Sequence, residues 1–232
     1  YEPPEYPLAG VSNPPVKKHG YVTFGCFSRY EKLSTAYLAT CQEVLLAVPD
    51  SRMEFKDNAF RQPAAIKRVL EIMDQVDPRR LAFRIGTSQP DHMLAYQRCD
   101  LILDPFPHSG GTCCLEQLWM GVPIVTLYGT QAAGRTTSSV LTRMGRTEWL
   151  ATDREMYIGK AAAFANTEIG RIALADARKV LRAELLGSPV VKGYVQAVED
   201  VYMSFLQERV SAAEAKPSAA SAAAKQKEGS HV

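Results

Sequence analysis

Residues 104–121 read DPFPHSGGTCCLEQLWMG, and the reading of the whole chain turns on them. A short apolar run, DLILD at residues 100–104, ends on Asp104 and is predicted as a strand. A turn follows, built from Pro105, Pro107, Ser109, Gly110 and Gly111. A helix is then predicted over residues 112–120, with Leu115, Leu118 and Trp119 on one side and Gly121 as the glycine that stops it. Strand, Gly-rich turn and helix in that order make a place to hold an anion. The first N–H groups of the helix lack intrahelical partners, and the helix dipole adds partial positive charge to them.

The same alternation extends on both sides. Strands are predicted at residues 21–26 (YVTFGC), 51–55 (SRMEF), 80–85 (RLAFRI) and 122–127 (VPIVTL). Between them lie helices at about 35–48, capped by Ser34 or Thr35, then 64–76 and 91–98. Beyond Gly129 the pattern reads as helical throughout, at 134–144, 153–165, 169–185 and 190–210. Strands alternating with helices imply βαβ crossovers and a doubly wound parallel α/β sheet of the Rossmann-like kind. In such sheets ligands bind outside the carboxyl ends of the strands. The loops at 27–32, 86–92, 106–112 and 128–135 all belong to that rim.

Three segments follow from composition. Residues 1–20 are Pro-rich and polar and read as a linker. Residues 21–210 form the folded lobe. Residues 211–232, an Ala/Ser/Lys run, are expected to be disordered because they hold too few large apolar side chains for a core. The chain has 232 residues, 46% hydrophobic and 22% charged, enough for one domain and a tail. A net charge of +2 gives no electrostatic case for nucleic acid or for an acidic membrane surface. No apolar run approaches the roughly 20 residues of a membrane span, and no secretory signal opens the chain. Five scattered cysteines fit neither a disulfide framework nor a CxxC metal site, so a cytoplasmic, reducing environment is expected. Tyr1 in place of an initiator Met points to a piece of a longer or processed protein.

Three blocks carry a resemblance: VTFGCFSRYEKLS at 22–34, LDPFPHSGGTCCLEQLWMGVPIVTL at 103–127, and GRTTSSVLTRMG at 134–145. Together they resemble the C-terminal catalytic lobe of the O-GlcNAc transferase family, inverting glycosyltransferases of the GT-B fold related to the plant SPINDLY-type O-fucosyltransferases. The resemblance covers residues 21–210. It implies a lobe that binds a nucleotide sugar, with UDP-GlcNAc as the expected donor and GDP-fucose as the alternative. It also implies transfer to protein Ser or Thr hydroxyls without a metal or other cofactor. A preceding catalytic lobe and tetratricopeptide repeats would complete the parent protein.

The resemblance assigns roles residue by residue. Lys32 matches a lysine that contacts the diphosphate, where negative charge grows on the leaving group, and it is the candidate catalytic residue. Thr112 matches the first of two threonines that hydrogen-bond the phosphate. The second is Cys113 here, and a thiol is a poor donor. Gly110 and Gly111 bring backbone N–H groups to the same anion. Glu116, one helical turn after Thr112, matches an acidic residue that accepts from the ribose hydroxyls. His92 matches a histidine near the nucleotide, and Thr87 and Gln89 stand where that loop meets the base. Arg29 and Ser28 replace the family's glutamine and asparagine beside the sugar nucleotide. His108 is set aside as a general base, and Arg135 is a rim residue that is either phosphate-side or structural.

Taken alone, Lys32, Glu116 and His92 would each read as ordinary solvated side chains at helix ends. Two other functional classes stay open beside glycosyl transfer. One is a non-catalytic sugar-nucleotide-binding module, favoured by Cys113, Arg29 and Ser28. The other is an NAD enzyme, against which stands the lack of GxGxxG after the first strand.

Overall fold

In the computed structural model, which describes residues 10–188 and 193–214, strands and helices alternate through most of the chain. Helix α1 is a single turn, Val16–His19, closed by Gly20 in the left-handed region at φ 79°. Strand β1 (Thr23–Cys26) leads to α2 (Thr35–Ala47), β2 (Arg52–Lys56) to α3 (Pro63–Ile72), and β3 (Leu81–Arg84) to α4 (Gln89–Ala95). Strand β4 (Leu101–Leu103) leads to α5 (Thr112–Trp119), and β5 (Ile124–Leu127) to α6 (Thr136–Arg143). A two-residue β6 (Leu150–Ala151) precedes α7 (Arg154–Asn166) and α8 (Glu168–Gly187). All neighbouring strands are parallel, in the order β3-β2-β1-β4-β5-β6. Residues 192–232 form a separate unit, described over 193–214, whose one element is helix α9, Tyr194–Glu214.

Local chemistry explains why these elements form. Ser34 caps α2, its hydroxyl accepting the N–H of Tyr37 at 3.1 Å. Tyr37, Leu38, Cys41, Val44 and Leu45 then return to one face and are fully buried. Each large apolar side chain so placed contributes about 1.5–3 kcal/mol. Gly121 takes φ 76° behind α5, and a Cβ there would lie 2.8 Å from the carbonyl oxygen of Arg178. Strand alternation divides the core into two layers. Phe24, Cys26, Met53, Phe55, Leu101 and Leu103 join α2, α3 and α7 on one face. Ile102 and Ile124 join α4, α5, α6 and α8 on the other.

Three sequence expectations change. The lead, read as a linker over residues 1–20, is built onto the lobe from residue 10 onward, where Gln97 Nε2 donates to the Gly10 carbonyl at 3.0 Å. Pro14, Pro15 and Val16 are buried, and Val16 N–H donates to Asp100 Oδ1 at 2.9 Å. Asp100 also accepts Thr23 N–H at 2.8 Å. Buried Arg178 donates to the carbonyls of Ser12 (2.8 Å) and Cys99 (2.9 Å), clamping the same segment from α8. No periodicity in the lead could reveal this, because both anchors are distant in sequence. Strand β6 falls in the gap between the helices expected at 134–144 and 153–165, where no strand was read, since two residues carry no alternation. The expected disordered tail begins inside α9, which runs to Glu214; residues 215–232 lie outside the described residues, as do residues 1–9 of the lead.

Candidate nucleotide site at the sheet's switch point

The strand order reverses between β1 and β4. After β1 the chain leaves toward the α2 layer, and after β4 toward the α5 layer, so a crevice opens between the two loops. A cavity of about 490 Å³ lies there. Eight of the sequence-predicted residues line it: Arg29, Lys32, Thr87, Gln89, His92, Gly111, Thr112 and Cys113. Gly110 and Glu116, expected with them, lie just behind. A larger depression of about 670 Å³ sits toward the amino ends of β1 to β3, among Lys17, Arg52, Arg80 and Arg98. It has neither the glycine turn nor the α5 N-terminus, so the chemistry belongs to the smaller one.

The turn at residues 104–112 is held from below by one buried carboxylate. Asp104 Oδ1 accepts Gly110 N–H at 2.8 Å, and its Oδ2 accepts the Thr126 hydroxyl at 2.7 Å. Burial pushes the Asp104 pKa up to about 6, against the pull of these donors. A Cβ on Gly110 would stand 2.9 Å from Asp104 Oδ1, so the turn is built around the missing side chain. Gly110 therefore shapes the turn, and its own N–H is committed to Asp104. Ser109 fixes the other side: its N–H reaches Ala133 O at 3.0 Å, and its hydroxyl accepts Thr136 N–H at 3.1 Å.

Helix α5 has Gly111 as its N-cap and no side-chain cap, so the N–H groups at the start of α5 face the cavity without a built-in acceptor. Lys32 comes to the same place from the β1 loop. Its Nζ donates to Ser109 O at 2.7 Å, which uses one of three ammonium hydrogens and leaves two for a ligand. Arg29 is exposed on the same rim. The Cys113 thiol is held above its usual pKa by burial and by the nearby Asp104, and its sulfur lies 3.9 Å from the Ser28 hydroxyl. It is a neutral thiol, a weak substitute for a hydroxyl donor. His108 is exposed, and its pKa is lowered by the charges of Lys32 and Arg29. Arg135 turns to its own loop, donating to the carbonyls of Gly129 (2.7 Å) and Thr130 (2.9 Å).

Glu116 is reached through other side chains. Gln89 Nε2 donates to Glu116 Oε1 at 3.0 Å, and the Tyr96 hydroxyl donates to Oε2 at 3.2 Å. A hydrogen bond from His92 leads the causes that hold its pKa below the ordinary glutamate value, so it is an ionised acceptor. His92 in turn meets Lys56 Nζ at 2.9 Å. Burial and Arg98 lower the pKa of Lys56, which is only 5% exposed.

Sequence reasoning missed Lys56, Asp57 and Asn58, which also line the cavity. Lys56 ends β2, and Asp57 and Asn58 open the loop after it, a carboxyl-end loop that was not singled out. Asn58 Oδ1 accepts Gly86 N–H at 3.0 Å, tying that loop to the next one. The carboxyl-end rule itself could have found them. Tyr96 carried no signal, because it reads as a core aromatic on a helix.

Similarities to known proteins agree with this geometry. A profile of glycosyl transferase family 41 matches residues 17–191. The "Probable UDP-N-acetylglucosamine--peptide N-acetylglucosaminyltransferase SPINDLY" of Petunia hybrida is 33% identical over 204 residues, covering 85% of this chain and 22% of its own. The Arabidopsis thaliana protein of the same description is 33% identical over 202 residues, covering 84% and 22%. The chain thus spans about a fifth of the length of the curated relatives it matches. Among solved structures, a variant of the O-GlcNAc transferase of Thermobaculum terrenum superposes with a TM-score of 0.81 at 30% identity, over 91% of this chain and 40% of that one. The pneumococcal O-GlcNAc transferase GtfA, solved with UDP and GlcNAc, gives a TM-score of 0.52 at 11% identity over 84% of this chain and 38% of that one, a likeness of fold alone. Among the described residues no helix is long and apolar enough to cross a membrane.

Proposed function

The chain belongs to glycosyl transferase family 41, and from that premise we propose that its cavity binds the nucleoside diphosphate of a sugar donor, UDP-GlcNAc, for inverting transfer to a protein Ser or Thr hydroxyl. The observation that carries the reading is the convergence of Lys32 with the uncapped N-terminus of α5 across the glycine turn. In an inverting displacement the acceptor oxygen attacks the anomeric carbon while the bond to the diphosphate breaks. Negative charge grows on the departing phosphate oxygens. An ammonium group, backbone N–H groups and a helix dipole fixed beforehand around those oxygens stabilise the transition state more than the ground state. Lys32 supplies the charge, Thr112 a hydroxyl and α5 the backbone donors. Arg29 adds a second cation at the rim. Glu116 is the acceptor for the ribose diol, and Thr87, Gln89 and His92 border the base.

The acceptor side belongs to an upstream lobe of the parent protein, with tetratricopeptide repeats before it. Metal is not required by this scheme, because the cationic work falls to Lys32 and α5. Competition binding with UDP, GDP and NAD tests the reading and separates the UDP-sugar donor from GDP-fucose and from a dinucleotide. Transfer of GlcNAc to a peptide once the upstream lobe is supplied tests catalysis. A second reading, a binding module without catalysis, draws on the buried neutral thiol of Cys113 where a hydroxyl would serve better; donor binding without transfer in the restored protein would favour it.

A further inference from the structure

Four side chains form one directional hydrogen-bond chain that runs from the cavity lining, at Lys56 and His92, to Glu116 behind it. Lys56 ends β2, His92 lies on α4, Tyr96 follows α4, and Glu116 lies on α5. Lys56 Nζ is 2.9 Å from His92 Nδ1, His92 Nε2 is 3.0 Å from the Tyr96 hydroxyl, and that hydroxyl is 3.2 Å from Glu116 Oε2. The ends set the direction. An ammonium group can only donate, and a carboxylate can only accept. His92 Nδ1 must then be the bare nitrogen and Nε2 must carry the proton. The Tyr96 oxygen accepts from His92, and its proton points at Glu116. His92 Nε2 also lies 3.5 Å from Glu116 Oε2. Tyr96 is fully buried and Lys56 is nearly so, which places the middle of the chain in a low-dielectric setting where its hydrogen bonds are strengthened.

We propose that Lys56 is a positioning residue for nucleotide binding: by donating to His92 Nδ1 it fixes the Nε2–H tautomer, which with Tyr96 holds Glu116 in the orientation that accepts a ribose diol. The proposal rests on the nucleotide reading of the cavity given above. The carboxylate has about four acceptor directions. Gln89 takes one on Oε1 and Tyr96 one on Oε2, with His92 Nε2 also close to Oε2 at 3.5 Å, so the remaining directions toward the cavity are open to the hydroxyls of a ribose. Without Lys56 the imidazole is free to carry its proton on Nδ1. The Tyr96 hydroxyl would then turn its proton to the bare Nε2 and away from Glu116, and the carboxylate would lose that donor and its fixed orientation.

The test compares UDP with 2′,3′-dideoxy-UDP by calorimetry in wild type, Lys56→Met, Lys56→Arg and Tyr96→Phe. Wild type should prefer UDP about tenfold or more, the size of one or two hydrogen bonds to a charged group. Lys56→Met and Tyr96→Phe should bring that ratio close to one, whatever their effect on affinity for the dideoxy compound itself, and Lys56→Arg should restore much of the preference. Nitrogen-15 spectra of the ligand-free wild type should show His92 protonated on Nε2 and bare on Nδ1. A proton on Nδ1 in wild type, or an unchanged ratio in both Lys56→Met and Tyr96→Phe, overturns the proposal and leaves the nucleotide reading intact. If wild type binds neither compound, the nucleotide reading fails and the role of Lys56 falls with it.

Discussion

Lys32 Nζ and the carbonyl oxygen of Ser109 lie 2.7 Å apart, a hydrogen bond that joins the loop after β1 to the glycine turn after β4. It spans the point where the strand order reverses, so the cation is fixed at the crevice before any ligand arrives. Lys32→Ala should therefore weaken UDP binding by about 10–100-fold, as expected for removing a hydrogen-bonded charge from a diphosphate. Calorimetry checks this, and unchanged affinity in the variant would remove Lys32 from the site. Lys32→Arg should retain part of the affinity, because the charge persists while the fit to Ser109 O does not.

Gly110→Ala should destabilise the lobe by about 1–3 kcal/mol, the cost of forcing a methyl into a packed site. The new Cβ would press on Asp104 Oδ1 at 2.9 Å and Thr137 Oγ1 at 3.1 Å, both buried and hydrogen-bonded. Urea denaturation measures the loss. A variant as stable as wild type would show that the turn adapts and that Asp104 does not fix it.

Asp104 makes stability depend on pH in a defined direction. Its pKa in the fold, about 6, lies above the ordinary value of 3.8, so folding favours the protonated form. The contribution is complete below about pH 4 and is lost as pH rises through 6, amounting to about 3 kcal/mol. Groups such as Glu116, whose pKa is lowered, act in the opposite sense and are common to both proteins in a comparison. The stability difference between wild type and Asp104→Asn should thus shift in favour of the variant from pH 4 to pH 7. A difference independent of pH would show that Asp104 is ionised throughout.

Arg178→Met should cost about 2–3 kcal/mol, because the buried carbonyl of Cys99 and the part-buried one of Ser12 lose their donor. The segment at 10–20 should become more sensitive to trypsin at Lys17 and Lys18. Equal cleavage rates in variant and wild type would mean that Asp100 alone holds the segment, through Val16 and Thr23.

Much of this architecture is legible from local chemistry. Ser34 capping α2 and Gly121 ending α5 are single-residue signals with one physical meaning each, and the structure places both as read. The expectation of an anion site follows from the order of strand, glycine turn and helix at 104–121. Features made by distant partners are not legible in this way. Val16 becomes helical where Asp100, 84 residues away, accepts its N–H. Lys56 looks like the polar end of a strand until His92 is seen beside it. Gly110 reads as an anion donor, yet its N–H is turned to Asp104. Each miss involves a polar group whose partner is set by tertiary structure, which no period or spacing encodes.

The central claim is that the diphosphate binds at the N-terminus of α5 beside Lys32. Titrating the chain with UDP and with uridine under the same conditions tests it most directly, because the two differ only in the diphosphate. The account predicts that UDP binds at least about tenfold more tightly than uridine, with the excess lost in Lys32→Ala. Equal affinity for the two, or no binding of UDP by the wild-type chain, would contradict it.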